Sequence, residues 1–226
     1  MSIETQKINK MMKEMFRLQN HLNNQTNGEQ WVDGTTKEGR TINWKRCIWL
    51  ETAEATESLA WKHWKSIDTP DDIENVRLEV VDVWHFLMSD MIATKGLEKS
   101  ISLALEAEQS ITKEIASQYS LIDALESMAK SALSGETPLF QFFTVVRILE
   151  DFDFEDIYKL YIGKNCLNQF RQDNGYKDGS YIKIWNGKED NVYMQQIMEE
   201  NPDIGFETLY EKLGAKYKET IGMQNA

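Results

Sequence analysis

The sequence predicts an all-α fold, a single compact helical domain over residues 1–226, and three observations predict it. Only 12 glycines and 3 prolines interrupt the chain, so few long periodic segments are broken. Leu, Met, Ala, Glu, Lys and Gln, which favour helix, are plentiful. Apolar residues recur at spacings of three and four through most of the sequence, the period of an amphipathic helix. A chain of 226 residues buries a core without disulfides or a structural metal.

The elements follow in order. Ile8, Met11, Met12, Met15, Leu18 and Leu22 mark a first helix over residues 3–22, which ends near the polar cluster at 23–28. After a loop to residue 39, Thr41 or Asn43 caps a second helix that reaches residue 66, where Asp68-Thr69-Pro70 stops it. Asp71 and Asp72 suit the positive start of a third, which runs to Thr94 and ends at Gly96. Three or four helical segments fill 97–170, with breaks at 134–138 and near 151–153. Asn174-Gly175, Asp178-Gly179 and Asn186-Gly187 are turn dipeptides, so this stretch reads as an ordered loop or short hairpin. Helical pattern resumes at 191–200 and 205–218.

The net charge of −12 disfavours a general electrostatic grip on nucleic acid or an anionic membrane, so a polyanionic ligand needs a local basic cluster. Cys47 and Cys166 sit in apolar periodic stretches without metal-ligand or redox spacing and read as buried free thiols. The N-terminus carries charges where a secretory signal has an apolar core, and no apolar run is long enough to span a bilayer. A soluble protein of the reducing cytoplasm is expected.

Chemistry concentrates in two places. On the second helix Glu51 and Glu54 lie one turn apart, on a stripe with Cys47 and Ser58. The third helix is apolar around most of its circumference, except for a line of Glu79, Asp82 and His85. Either pair of carboxylates alone reads as a solvated face. Two in succession, on helices joined by a short turn and therefore antiparallel, place four carboxylates across one interface, which requires cations. Oxygen-only donors suit Mg²⁺, which leaves room for water and phosphate. A di-iron centre calls for Glu-x-x-His from two helices, and Asp82-x-x-His85 comes near it only once. His85 reads as a hydrogen-bonded helix histidine. The second place is residues 164–188, where Lys164, Arg171, Lys177, Lys183 and Lys188 oppose Asp173 and Asp178. Lys164, Asn168 and Arg171 share one helix face, and lysines, an arginine fork and turn amides are what phosphate binding uses.

The paired acidic motifs, Leu18-Gln19-x-x-Leu22-Asn23, the block Lys164-Asn165-x-Leu167-Asn168-x-Phe170-Arg171-Gln172-x-Asn174-Gly175-Tyr176-Lys177-x-Gly179-x-Tyr181 and Glu189-Asp190-Asn191 together resemble the dimeric dUTPases. These are the all-α branch of the nucleoside triphosphate pyrophosphatases. The resemblance implies Mg²⁺-dependent hydrolysis of dUTP, and of dUDP, to dUMP with release of pyrophosphate or phosphate, by a homodimer. By matching position it implies Glu51, Glu54, Glu79 and Asp82 as ligands to two or more Mg²⁺ and Glu54 or Glu51 as the base. Lys164, Asn168, Arg171, Lys177 and Asn191 would meet phosphates or sugar, Gln19 and Asn23 would face uracil, and Trp31 would lie near the base.

A carboxamide reads uracil or, turned round, cytosine, so a dCTP or broader nucleotide pyrophosphatase is the alternative enzyme. A helical scaffold with solvated acidic faces is the alternative from another class. Seven Trp, nine Phe and eight Tyr, and an apolar segment at 139–148, point to surface that a dimer buries.

Overall fold

The computed structural model describes residues 3–202 and 204–224, with side chains to residue 220. The expected all-α fold is observed: helix accounts for 71% of the described residues, and the only strands among them form one hairpin with two residues in each strand. Backbone contacts group the chain into two units, residues 1–158 and 159–226, with the boundary inside helix α8 (Phe154–Asp173).

In the first unit, α1 spans Ile3–Asn27, longer than the apolar period alone indicates, and buries Met11, Met12, Met15, Phe16 and Leu22. A 3₁₀ helix, Glu29–Asp33, follows it. Helix α2 (Trp44–Glu57) is capped by Asn43, whose side chain accepts from the Arg46 N–H at 2.9 Å. It stops at Glu57, nine residues before the expected end near residue 66. The spacing Trp61-x-x-Trp64 imitates helical periodicity, but Trp61, Trp64 and Ile67 are 41%, 64% and 99% exposed, so continuing the helix would bury no face. The segment is instead a loop closed by the Ala60 N–H on Asp71 at 2.6 Å and the Asp72 N–H on the Ser58 carbonyl at 2.8 Å.

Helix α3 (Ile73–Lys95) starts at Asp72, which accepts from the Asn75 N–H at 3.1 Å. It runs antiparallel to α2: Lys45 pairs with Asp90, Glu51 lies beside Glu79 and Asp82, and Ser58 bonds Asn75, so partners fall in number on α3 as they rise on α2. Asp90 is a buried carboxylate held by Lys45 Nζ at 2.6 and 2.8 Å and by the Thr137 hydroxyl at 2.6 Å. Trp84, fully buried at the centre of α3, meets Phe16 edge-on and stacks on Phe142 with ring centres 4.8 Å apart. Helices α4 (Leu97–Ser110), α6 (Leu121–Leu133) and α7 (Leu139–Ile148) complete the layer around α2 and α3, with a single-turn α5 (Lys113–Ala116) between α4 and α6.

In the second unit, Cys166, Leu167 and Phe170 of α8 pack with Tyr181, Trp185, Met194, Leu209, Leu213 and Tyr217. Met194 comes from α9 (Asp190–Glu200), and Leu209, Leu213 and Tyr217 come from α10 (Phe206–Gln224). The hairpin pairs β1 (Ile184–Trp185) with β2 (Lys188–Glu189). Its turn, Asn186-Gly187, has φ of 47° and 83°, the left-handed pair that a two-residue hairpin needs and that Asn-Gly supplies. Cys166 is buried and Cys47 partly so, and burial raises both thiol pKa values, that of Cys166 to about 12.

Candidate active site

The antiparallel α2–α3 pair brings carboxylate oxygens of Glu51, Glu79 and Asp82 within 4.8 Å of one another, each residue partly buried. Glu79 and Asp82 lie one turn apart on α3, and Glu51 crosses from α2. Like charges at about 4 Å repel by about 1 kcal/mol in water and about 4 kcal/mol at an effective dielectric of 20. A divalent cation relieves that repulsion, and hard oxygen donors at this separation fit Mg²⁺.

Glu54 is not among these three. It is exposed, and with Glu57, Ser58, Lys65, Asn75 and Glu79 it lines a cleft of about 460 Å³ where the 58–72 loop meets α2 and α3. Asn75 Nδ2 donates to Ser58 Oγ at 2.8 Å and to Glu79 Oε1 at 3.3 Å, which ties the carboxylate to both helices. Asn75 is absent from the sequence-based set, although its place four residues before Glu79 puts it on the same face.

Gln19 and Asn23, one turn apart on α1, are both 4% exposed and meet over α3. Gln19 Nε2 lies 3.2 Å from Asn23 Oδ1, and both amide nitrogens point to Ser89 Oγ, at 3.2 and 2.9 Å. His85 is hydrogen-bonded, as its helical setting suggests: its Nδ1 is 2.8 Å from Gln19 Oε1. Trp31 is fully buried in the 3₁₀ helix, donates its indole N–H to Asn24 at 2.7 Å and meets Trp44 edge-on, which stacks on Phe86.

The basic residues belong to the second unit. Arg171 gives Nε and Nη2 to Asp190 at 2.8 and 2.7 Å, Nη1 to Asn168 at 3.1 Å and Nη2 to Asn191 at 3.4 Å. Three expected phosphate or sugar ligands, Asn168, Arg171 and Asn191, are thus assembled around one guanidinium. Asp190, fully buried, stands in the Glu189-Asp190-Asn191 motif but has no role in the sequence reading; it also accepts from the Tyr181 hydroxyl at 2.8 Å. Its carboxylate raises the Arg171 pKa against the opposing effect of burial. Lys164 is buried on α8, and Lys177 is exposed in the turn between the glycines.

No curated protein sequence matches the chain. The dUTPase family model matches residues 11–176, most of the chain, from α1 through the carboxylate helices to the turn after α8. On that match the chain belongs to the all-α dUTPase family, and its activity is that of a dUTP diphosphatase.

Proposed function

We propose that the enzyme hydrolyses dUTP, and also dUDP, to dUMP with Mg²⁺ at the α2–α3 carboxylates. The observation that carries this reading is the cluster of Glu51, Glu79 and Asp82 within 4.8 Å, in a chain whose family hydrolyses dUTP. Glu51, Glu79 and Asp82, joined by Glu54, would hold two ions, as the paired motifs imply. When bound, Mg²⁺ supplies charge neutralisation on the phosphates and a more acidic water.

Glu54, exposed on the wall of the cleft, takes the proton from the attacking water, and Asn75 keeps Glu79 turned toward the cluster. Lys164, Arg171 and Lys177 neutralise charge on the transferring and leaving oxygens, while Asn168 and Asn191, held by Arg171, bind phosphate or sugar. Asn23 or Gln19 offers a carboxamide donor for uracil O4 and an acceptor for N3–H, and Trp31 lies near the base.

We also assign a homodimer. Most of the apolar α7 segment is used within the protomer, where Phe142, Phe143, Val145 and Val146 are buried, but Leu133 and Phe140 are 66% and 46% exposed. No helix among the described residues is long and apolar enough to cross a membrane, and the two thiols are free, which supports a cytoplasmic setting.

The test is an assay of purified protein with dUTP, dUDP, dCTP, dTTP and UTP, with Mg²⁺ and with chelator. Conversion of dUTP and dUDP to dUMP, abolished by chelation, is expected. Consumption of dCTP with dUTP left intact would move the substrate to the cytosine nucleotide, and full activity in chelator would remove the metal from the reading.

A further inference from the structure

The carboxylate of Asp190 is fully buried and takes four hydrogen bonds, two on each oxygen, which is its full capacity. Oδ2 accepts from Arg171 Nε and from the Tyr181 hydroxyl, each at 2.8 Å. Oδ1 accepts from Arg171 Nη2 at 2.7 Å and from the Asn191 main-chain N–H at 2.9 Å. Asp190 opens α9, so one anion holds both the guanidinium and the helix start that carries Asn191, where the helix favours negative charge. The remaining arms of Arg171 reach Asn168 Oδ1 from Nη1 at 3.1 Å and Asn191 Oδ1 from Nη2 at 3.4 Å, and its Cζ lies 5.9 Å from the centre of the Tyr176 ring. Four of its five N–H groups are thereby engaged among the described residues, which leaves no pair with which to fork a phosphate. Arginine carries donors only, so a carboxamide that meets it presents oxygen. Asn168 and Asn191 therefore both turn Nδ2 away from the guanidinium. Both residues are partly exposed, and neither Nδ2 has a protein acceptor among the described residues.

We infer that Asp190 is a positioning residue for the phosphates of the nucleotide: it holds Arg171 as a bracket that presents the Asn168 and Asn191 carboxamides nitrogen-first. The inference rests on the reading of Asn168 and Asn191 as phosphate or sugar ligands, and it decides between the two. Ionised phosphate oxygens only accept, so amides fixed as donors suit them, whereas a sugar hydroxyl also donates and needs no such fixing. Asp190 itself, buried and saturated, touches no phosphate. Without its charge the fork is released, and each amide can turn its oxygen to the anion.

The test is calorimetric titration of the purified enzyme with a non-hydrolysable dUTP analogue and Mg²⁺, and separately with deoxyuridine, for the parent, Asp190→Asn and Arg171→Lys. Asp190→Asn keeps the shape but sets an amide N–H against one arm of the fork. Arg171→Lys keeps the charge but has a single nitrogen, which cannot hold Asp190, Asn168 and Asn191 together. Each is expected to raise the Kd of the analogue by about tenfold or more, with deoxyuridine bound as by the parent. In an Asn168→Ala, Asn191→Ala background, Asp190→Asn should add little to the loss. Parent-like binding by Arg171→Lys would show that charge alone suffices, and equal losses of nucleoside and analogue would mark the network as merely structural; either overturns the inference, as does a full Asp190→Asn effect in the double-alanine background. If Asp190→Asn does not fold, Arg171→Lys decides by the same comparison. The double-alanine variant separates the two readings. If it binds the analogue as the parent does, the ligand reading of the asparagines fails and the inference falls with it. If it weakens the analogue while Asp190→Asn and Arg171→Lys do not, the ligand reading stands and the positioning role is wrong.

Discussion

Glu51, Glu79 and Asp82 crowd negative charge into a partly buried space, so neutralising one should relieve the metal-free fold while removing a ligand. Glu51→Gln, Glu79→Gln and Asp82→Asn are each expected to cut turnover by about a hundredfold or more, with the melting temperature in chelator unchanged or raised. Near-normal activity in all three, measured with saturating dUTP and Mg²⁺, would dismiss the cluster as the site. Arg171 behaves differently from Lys177. Arg171→Ala leaves the carboxylate of Asp190 buried and uncompensated, a loss of about 3–5 kcal/mol, so it should lower the melting temperature as well as affinity for the triphosphate. Lys177→Ala, on an exposed side chain, should weaken triphosphate binding alone, and calorimetry beside nucleotide titration tells them apart. The carboxylates were legible in the sequence because spacing of three on a helix fixes a face. The pairing of Asp190 with Arg171 was not, because a contact across nineteen positions, through a turn and a hairpin, leaves no local period.

At the scale of elements, the site hangs on two caps. Asn43 starts the helix that carries Glu51, and Asp72 starts the one that carries Glu79. Replacing either by Ala should cost about 1 kcal/mol, or about 2–4 °C in melting temperature, measurable by thermal denaturation in chelator; no change for Asp72→Ala would show that Asp71 or the loop substitutes for it. Both caps were readable as polar residues ahead of an apolar period, with Thr41 left as a rival to Asn43. The end of α2 was not readable. Helical propensity and aromatic spacing run on past Glu57, and what stops the helix is the tertiary fact that no surface is there to cover Trp61 and Trp64. The hairpin was legible for the opposite reason, since Asn186-Gly187 encodes its turn without help from distant residues.

For the whole molecule, a ligand that binds the folded chain alone stabilises it by mass action. Mg²⁺ at about a hundred times its Kd should contribute about 2.7 kcal/mol, seen as a rise in melting temperature that Glu51→Gln abolishes. Alkaline pH should act in the opposite sense. The Tyr158 phenol, desolvated and bonded to Glu14, and the Tyr210 phenol, desolvated and bonded to Asp173, have pKa values raised to about 12. A folded-state pKa above the unfolded value of about 10 gives stability that is complete below pH 10 and is lost as pH rises toward 12. Tyr158→Phe and Tyr210→Phe should each flatten that decline in alkaline melts, and an unchanged slope would remove these tyrosines as its cause. The all-α class was legible from composition and period alone, whereas the division of contacts at residues 158 and 159 has no signature in a sequence whose α8 continues through it.

The antiparallel register of α2 and α3 bears on how this chain tolerates changes of length. Its rungs join Lys45 to Asp90, Glu51 to Glu79 and Asp82, and Ser58 to Asn75. Loss of one residue between Lys45 and Glu51 turns everything beyond it by about 100° around the helix axis, which swings Glu51 away from its partners while every side chain of the site is still present. An extra residue beside Ile67, which is 99% exposed, shifts no rung, because the Asp72 cap restarts the count for α3. Drift in length is therefore absorbed in the loop and forbidden in the helix before it, and the spacing from Lys45 to Ser58 is as much a part of the site as the carboxylates themselves.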